Sequence, residues 1–271
     1  MPELPEVETT RRGIAPHVID KTVRQVVVRH PQLRWPIPQH IVEDLPRKRI
    51  LSIDRRGKYL LFKFKAGFLI IHLGMSGSLR IIDSAIEPGK HDHFELQLSS
   101  GKSLRLTDPR RFGAVLWTAE PLTEHKLLSH LGPEPLTDEF NAEMLFKRSR
   151  KRSVPMKTLL MDSKTVVGVG NIYANESLFL SGIRPTRPAK NMTRKQSETL
   201  VEQIKHVLDK AIKAGGTTLK DFTGGDGKPG YFQQQLFVYG REGEPCSKCD
   251  SQLKQIRIGQ RSTVYCPQCQ K

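Results

Sequence analysis

The four cysteines of the chain lie in one short C-terminal segment, in the pattern Cys246-x-x-Cys249 and Cys266-x-x-Cys269. Two close pairs at this separation suit four thiolates arranged tetrahedrally around one zinc ion. Because sulfur fills all four positions, this zinc stabilises structure and takes no part in a reaction. A tail of about 40 residues is too small to fold without a metal, so the pattern predicts a zinc-stabilised module. Two disulfides are the alternative, but nothing else in the chain indicates an oxidising compartment.

The chain as a whole is strongly basic. Its 271 residues include 44 Lys and Arg against 28 Asp and Glu, a net charge of +16. This excess favours a polyanionic partner, because each basic side chain that neutralises a phosphate releases a counterion. Charge alone also fits ribosomal and membrane-surface proteins. The N-terminal MPELPEVETT is charged, and no apolar run is long enough to span a membrane, so we expect a cytoplasmic protein.

The hydrophobic pattern predicts a β-rich first half. A helix is expected over residues 1–14, with Gly13 at its end. Strands are expected at Val23–Val28, Ile50–Ile53, Tyr59–Phe64 and Phe68–Leu73, with a hairpin between Phe94 and Leu106. Many short strands at close spacing predict an antiparallel β-sandwich.

Helical periods begin after the Leu131-Gly-Pro-Glu-Pro segment. The clearest helix is predicted over 193–214, where Thr193 and Gln196 form a capping box and Gly215 follows the last turn. Its apolar face consists of Leu200, Ile204, Val207, Leu208 and Ile212. The Gly-rich stretch 217–232 is predicted to be a mobile loop. We therefore expect an α+β multidomain protein with a β domain over 1–130, a helical domain over 131–222, a loop and linker over 223–236, and a zinc module over 237–271.

The second residue, Pro2, is a candidate nucleophile. If Met1 is removed, Pro2 presents a secondary amine whose pKa, about 8 for an α-amine, leaves a sizeable neutral fraction. The positive end of the helix lowers that pKa, whereas Glu3 and Glu6 raise it. A secondary amine that attacks a sugar carbon gives an iminium with no N–H to lose, which favours elimination. By themselves, however, a proline and acidic residues commonly just start a helix.

Taken together, these motifs resemble the bacterial formamidopyrimidine-DNA glycosylases. The matching segments are Pro2-Glu-Leu-Pro-Glu-Val-Glu8, His72-Leu-Gly-Met-Ser-Gly-Ser-Leu79, Thr107-Asp-Pro-Arg-Arg-Phe-Gly113, Gly168-Val-Gly-Asn-Ile-Tyr-Ala174, Asp226-Gly-Lys-Pro-Gly-Tyr-Phe232 and Gln260-Arg-Ser-Thr-Val-Tyr-Cys266, together with the four cysteines. Leu4 favours the purine-repair branch over the endonuclease VIII branch. The resemblance implies an N-terminal helix with a β-sandwich, a helix–two-turn–helix domain and a zinc-finger hairpin. It also implies a monomer that acts on damaged double-stranded DNA, with one structural zinc ion and no small-molecule cofactor.

The resemblance also assigns catalytic roles. Pro2 would attack the sugar C1′, expel 8-oxoguanine or a formamidopyrimidine, and form a Schiff base. Glu3 would transfer protons, Lys58 would assist β-elimination, and Arg261 would hold phosphates and assist δ-elimination. Without the family, Lys58 reads as an exposed hairpin lysine and Arg261 as a solvated arginine.

Three further residues match side chains that fill the space left by an everted base, namely Met75, Arg110 and Phe112. Chemistry at C1′ requires the base to leave the stack, and an arginine can read the opposite base through two hydrogen bonds. Periodicity alone would place Met75 and Phe112 in the core. Glycines at 74, 77 and 113 favour exposed turns instead.

Several residues match DNA contacts of the family: His91, Arg110, Arg152 and Asn171, with His72 and Lys157 as weaker candidates. Asn171 would offer a helix N-terminus to a phosphate. Arg152 lies in the basic run 147–152, which by itself resembles a solvated surface. Lys220 and Tyr231 are candidate contacts in the 217–232 loop. A zinc-ribbon protein that binds nucleic acid without catalysis is the rival hypothesis; it explains the charge and the cysteines but not Pro2-Glu3.

Overall fold

The computed structural model describes residues 2–216 and 236–271. These residues divide into two compact units, one with 2–129 and 214–216, the other with 130–213 and 236–271. The predicted loop 217–232, with Lys220 and Tyr231, lies outside the described residues. Within the described ranges, no helix combines the length and the apolar character needed to cross a membrane.

The first unit contains two helices and eight strands. In chain order they are α1 (Leu4–Val18), β1 (Val23–Val28), α2 (Ile41–Asp44), β2 (Ser52–Arg56), β3 (Tyr59–Phe64), β4 (Gly67–His72), β5 (Ser78–Asp83), β6 (Asp92–Leu98), β7 (Lys102–Thr107) and β8 (Ala114–Thr118). They form two four-stranded sheets, in the orders β1-β6-β7-β5 and β2-β3-β4-β8. The described pairs within both sheets are antiparallel, and one apolar core joins them. The predicted β-sandwich is confirmed.

Several strands lie where the sequence predicts them. Strands β1 and β3 have the predicted limits, and the predicted hairpin pairs Phe94 with Leu106. Strand β2 begins at Ser52 rather than Ile50, because the backbone of Ile50 bonds instead to the turn at Asp20 and Lys21. No individual strand was predicted at β5 or β8.

Helix α1 extends beyond its predicted end. It begins at Leu4 and continues through Gly13 to Val18, so the prediction of a stop at Gly13 is wrong. Ile14 and Val18 are fully buried, and the helix packs on β2 and β3 of one sheet and on β5 and β7 of the other. This burial outweighs the cost of a mid-helix glycine, about 1 kcal/mol. The helix therefore lies across both sheets.

The second unit is helical and ends in a hairpin. It contains α3 (Ala142–Ser149), α4 (Met156–Met161), α5 (Asn171–Leu180), a 3-10 turn (Ala189–Asn191), α6 (Arg194–Lys213), β9 (Lys254–Ile258) and β10 (Arg261–Tyr265). Thr193 and Gln196 form the predicted capping box, through backbone-to-side-chain bonds of 3.0 and 3.1 Å. The predicted apolar face of α6 is buried. The α+β fold class is thus confirmed.

The C-terminal hairpin shares a small core with α5. Phe179 of α5 packs with Val238, Leu253 and Val264, and two of the cysteines belong to the same cluster. The side chain of Gln270 accepts a hydrogen bond from the Cys266 N–H and donates one to the carbonyl of Ile183. The cysteine segment is therefore joined to the helices of its own unit.

Candidate catalytic and DNA-binding site

The candidate nucleophile stands at the start of α1. Pro2 is buried and directly precedes Glu3, the N-cap residue of the helix, which is only 1% exposed. The backbone N–H of Glu3 donates to the Glu6 carboxylate at 2.9 Å, as in a capping box. The positive end of the helix dipole thus faces the first residues of the chain.

Helix α1 is tied to the turn that carries Lys58 through a buried carboxylate, Glu8. Glu8 accepts hydrogen bonds from Arg11, Arg12 and Arg55 at 2.8–3.1 Å. Arg55 also donates to the carbonyl of Gly57 at 2.9 Å. Burial would raise the pKa of Glu8, but its bonds to Arg11 and Arg12 lower that pKa to about 2. Glu8 therefore links the helix of Pro2 to the β2–β3 turn as an anion.

This linkage predicts a specific effect of pH on stability. Because the pKa of Glu8 is lowered in the folded protein, its contribution to stability is complete above about pH 4.5 and is lost as the pH falls towards 2. We expect Glu8→Gln to lower the free energy of unfolding by about 1–3 kcal/mol at neutral pH. Measured by urea denaturation, the difference from wild type should shrink between pH 4.5 and 2. Glu198→Gln, an exposed change on α6, is the control. A difference that stays constant across this range would contradict the linkage.

Lys58 lies in a two-residue turn between β2 and β3, where Arg56 pairs with Tyr59. Gly57 has a φ of +56°, which such a tight hairpin turn requires and glycine readily adopts. Lys58 is half-buried rather than fully exposed. The positive charge of Lys58 is, after burial, the second cause that lowers the pKa of His72 at the end of β4.

His72 is held as a neutral imidazole. Burial, and then the charges of Lys58 and Arg34, lower its pKa to about 4. Its Nδ1 accepts a hydrogen bond from the Gly74 N–H at 3.0 Å, so the ring proton lies on Nε2. His72 can therefore act as a hydrogen-bond donor through Nε2 without carrying charge.

Met75, Arg110 and Phe112, the candidate wedge residues that would fill the space left by an everted base, lie on two adjacent loops. Residues 73–77 follow β4 and carry Met75, whereas residues 108–113 precede β8 and carry Arg110 and Phe112. Strands β4 and β8 are neighbours, and His72 pairs with Ala114, so the loops leave the same end of one sheet. Phe112 is 43% exposed, and the Arg110 guanidinium lies 5.0 Å from the centroid of its ring. Phe112 is thus not the core residue that periodicity alone would suggest.

The candidate contact His91 is half-buried beside the second of these loops. Its carbonyl accepts a hydrogen bond from the backbone N–H of Asp108 at 2.9 Å. Its ring lies 6.2 Å from that of His93, edge to face. His91 therefore belongs to the same region of the first unit as Arg110.

In the second unit, the basic residues of the run 147–152 have different surroundings. Arg148 donates to the carbonyl of Lys164, and Arg150 donates to that of Met192 while its guanidinium lies over the ring of Phe146. Arg152 is exposed. The run is therefore partly a structural element of the helical unit and not a uniformly solvated surface.

Lys157, a weaker candidate for a DNA contact, is buried and not exposed. Its side chain is only 1% exposed, and its ammonium donates to the Ser262 carbonyl at 2.8 Å and to the Thr263 hydroxyl at 2.7 Å. It therefore holds β10 next to Arg261. Direct contact between Lys157 and DNA remains a prediction.

Asn171 is the first residue of α5, as expected for a helix N-terminus. Gly168, with a φ of +81°, and the N-cap residue Gly170 precede it. Asn175, one turn later, donates to the Asn171 carbonyl at 2.6 Å and accepts from the Val264 N–H at 3.1 Å. The start of α5 is thus connected to β10.

Arg261 is the first residue of β10 and pairs with Ile258 across the hairpin. The two-residue turn before it consists of Gly259 and Gln260, with φ values of +53° and +63°. Positive φ at both positions is typical of a type I′ hairpin turn. Arg261 therefore stands directly beside the turn, at the tip of the hairpin.

The four cysteine sulfurs lie within 4.8 Å of one another. The separations are 3.9 Å for Cys246 and Cys269, and 3.5 Å for Cys249 and Cys266. Four sulfurs at about 2.3 Å from a zinc ion stand about 3.8 Å apart, whereas a disulfide requires about 2 Å. The backbone N–H of Cys269 also donates to the Cys266 sulfur at 3.3 Å. The geometry fits a structural zinc ion and not the disulfide alternative.

Three residues of this region were not identified from the sequence as functional: Glu8, Arg55 and Asp108. The Glu8 pairs with Arg11 and Arg12 have helical i,i+3 and i,i+4 spacing and were readable in principle. Arg55 bonds to Glu8, 47 residues away, and Asp108 bonds to Ser76, 32 residues away, so the sequence carries no local signal for these two contacts.

A β-sandwich carrying a buried N-terminal proline, a helical unit and a four-cysteine hairpin define the chain as a multidomain zinc-finger protein. Its sequence matches the formamidopyrimidine-DNA glycosylase N-terminal domain over residues 1–115 and the H2TH domain of those enzymes over 131–223. Residues 243–271 match the zinc finger found in FPG and IleRS.

Relatives are similar over their whole length. The formamidopyrimidine-DNA glycosylases of Saccharophagus degradans and Pseudomonas aeruginosa strain LESB58 are 59% and 57% identical to this chain over 271 residues, with both chains fully covered. The MutM (FPG) protein of Thermus thermophilus is 41% identical, with a TM-score of 0.90 and coverage of 99% and 98%. A Lactococcus lactis Fpg, solved with DNA containing N7-benzyl-Fapy-dG, is 32% identical with a TM-score of 0.93 and full coverage of both chains.

The chain belongs to the formamidopyrimidine-DNA glycosylase family. It is accordingly a DNA-repair enzyme, a DNA glycosylase with abasic-site lyase activity, and its zinc finger holds one structural zinc ion. Family membership decides against the non-catalytic zinc-ribbon hypothesis.

Proposed function

We propose that this enzyme excises oxidised purines, chiefly 8-oxoguanine and formamidopyrimidines, from double-stranded DNA through a Schiff base on Pro2. The observation that carries the proposal is the position of Pro2, buried at the positive end of α1 and followed by the N-cap carboxylate Glu3. Structures of the Lactococcus lactis relative with DNA that contains Fapy-dG or an abasic site support the same substrate class.

The proposed reaction begins at the secondary amine of Pro2. Once Met1 is removed, the Pro2 nitrogen attacks C1′ of the lesion nucleotide, the N-glycosidic bond breaks, and the base leaves with a proton. Opening of the sugar ring, with a proton supplied through Glu3, gives an iminium between Pro2 and C1′. The iminium accepts electrons as a C2′ proton is removed, so the 3′-phosphate leaves in β-elimination.

A second elimination releases the 5′-phosphate, and water then hydrolyses the iminium to free Pro2. The product is a one-nucleotide gap with phosphates at both ends. In this scheme Lys58 assists β-elimination and Arg261 assists δ-elimination. Arg261 holds phosphates because the hairpin, stabilised by zinc and by Lys157, presents it from a defined turn.

Access to C1′ requires the damaged base to leave the stack. We assign the resulting space to Met75, Arg110 and Phe112, which the two loops at the end of the β-sandwich present together. Arg110, with five donors in a planar fork, suits recognition of the opposite cytosine. The flexible Met75 and the exposed ring of Phe112 suit contact with base faces.

Phosphate contacts set affinity and not the choice of lesion. We assign them to His91, Arg152 and Asn171, with neutral His72 donating through Nε2. In this proposal the enzyme works as a monomer on DNA in the bacterial cytoplasm. The net charge of +16 supports strong dependence of binding on salt concentration.

The direct test is borohydride reduction during turnover. Processed, zinc-loaded protein is mixed with a duplex containing 8-oxoguanine opposite cytosine, and reduction should convert the iminium into a stable protein–DNA adduct. The same duplex with guanine in place of the lesion is the control and should give no adduct. Absence of any adduct with the damaged duplex would overturn the proposed mechanism.

A further inference from the structure

A buried carboxylate connects the two loops that carry the wedge residues. Asp108 is 0% exposed, and its two oxygens bond to different loops. One accepts from the Ser76 hydroxyl at 3.3 Å in the 73–77 loop, and the other accepts from the Gly113 backbone N–H at 2.7 Å. Ser76 is the neighbour of Met75, and Gly113 is the neighbour of Phe112.

The backbones of the two loops also touch each other. A Cβ placed on Gly74 would lie 2.4 Å from the carbonyl carbon of Phe112, and Gly74 has a φ of +65°. A Cβ on Gly113 would lie 2.9 Å from both the Asp108 carboxylate and the His72 carbonyl. Only glycine allows this approach at either position. The Asp108 carboxylate therefore lies where the two loop backbones come close together.

The main chain of Asp108 is held by three further hydrogen bonds. Its N–H donates to the His91 carbonyl at 2.9 Å, and its own carbonyl is hydrogen-bonded to Nε2 of His93 at 3.0 Å. Arg111 N–H also donates to this carbonyl at 3.2 Å. A side-chain substitution at Asp108 leaves these backbone hydrogen bonds available. A change in activity therefore reports the loss of the side-chain link between the two loops.

We propose that Asp108 is a positioning residue that holds the 73–77 and 108–113 loops in one arrangement, so that Met75, Arg110 and Phe112 enter the duplex as a single preorganised wedge. This inference rests on the proposed function of those three residues. Separating two stacked bases costs free energy, and loops that are already ordered lose less conformational entropy on insertion. Asp108 is fully buried at the start of the second loop and acts through the wedge residues.

The test compares two substitutions at this position. Asp108→Ala removes both hydrogen bonds. Asp108→Asn has the same shape and can keep both, because its carbonyl accepts from the Gly113 N–H and its amide donates to the Ser76 hydroxyl. Asp44→Ala, an exposed change in α2, is the matched control. Two substrates are used under single turnover: a duplex with 8-oxoguanine opposite cytosine, and a duplex with a preformed abasic site, which has no base to evert.

Asp108→Ala should slow excision of paired 8-oxoguanine about 10–100-fold, the equivalent of two lost buried hydrogen bonds, while slowing cleavage at the abasic site less than about 3-fold. Placing the lesion in a mismatch should reduce the defect, because an unpaired base costs less to evert. Asp108→Asn and Asp44→Ala should stay within about 3-fold of wild type on both substrates.

Equal slowing on both substrates would overturn the positioning role, and so would unchanged excision by a folded Asp108→Ala protein. If that variant does not fold, Ser76→Ala, which removes one of the two bonds, should show the same asymmetry at smaller size. A 2-aminopurine base beside the lesion reports wedge insertion whether or not the base is excised. If the wild-type enzyme inserts its wedge but does not excise the base, the proposed function is refuted and the role of Asp108 is not. If Asp108→Ala, or Ser76→Ala in its place, inserts the wedge as wild type does, the role of Asp108 is refuted and the proposed function is not.

Discussion

Replacing Pro2 with glycine should reduce borohydride trapping and 8-oxoguanine excision by about 100-fold or more, which corresponds to about 3 kcal/mol of lost transition-state stabilisation. Glycine presents a primary amine whose imine can lose its N–H proton, and the neutral imine is a poor electron sink. DNA binding should stay within about 3-fold of wild type, since Pro2 supplies no phosphate contact in this mechanism. Trapping gels and anisotropy titrations measure the two effects separately.

Pro16→Ala is the matched control for loss of a proline from α1, because Pro16 is exposed at the far end of the same helix. This variant should retain full trapping. Protein shown by mass spectrometry to retain Met1 should be inactive, because its Pro2 nitrogen is an amide. Peptide sequencing that places the reduced crosslink on another residue, such as Lys58, would refute Pro2 as the nucleophile.

Replacing Cys249 with serine should abolish zinc binding at stoichiometric metal and weaken binding to damaged DNA by about 100-fold or more. Structural zinc supplies about 10–16 kcal/mol of folding free energy in small zinc modules. The core of this hairpin is limited to a few side chains against Phe179, so it cannot stay ordered without the metal. Arg261 then loses the turn that positions it.

Ser247→Ala, which changes an exposed residue between the first two cysteines, is the control and should behave as wild type. Native mass spectrometry measures zinc content, and fluorescence anisotropy with a duplex containing an abasic-site analogue measures binding. The strands of the first unit should keep their circular dichroism signal, because their core contains no part of the hairpin. A zinc-free Cys249→Ser protein that binds this duplex as tightly as wild type would show that the metal does not support DNA binding.

The elements that were predicted best are those whose stabilising contacts are local. The capping box of Thr193 and Gln196 and the apolar face of α6 depend on i,i+3 and i,i+4 neighbours, so their residues identify them directly. The end of α1 was predicted wrongly because burial of Ile14 and Val18 against two sheets outweighs the preference of Gly13.

In the candidate site, too, local spacing identifies some residues, whereas the positions of others depend on tertiary contacts. The zinc ligands could be assigned from spacing because two cysteines in one tight turn necessarily lie close together. Lys157 reads as one more basic residue in the sequence, yet the structure directs its ammonium into β10. Phe112 reads as a core residue, yet its ring is exposed on a loop. Burial depends on which distant segments pack together, and this information is not local.

By itself the sequence determined the metal site, the basic character of the surface, the nucleophile candidate and the alternation of β and helical segments. Each of these depends on residue type and short spacing along the chain. The tertiary structure alone decided that Glu8 joins α1 to the β2–β3 turn, and that Asp108 joins the loops of Met75 and Phe112. The Glu8–Arg55 contact spans 47 residues and the Ser76–Asp108 contact spans 32, so both form only when distant segments of the chain pack together.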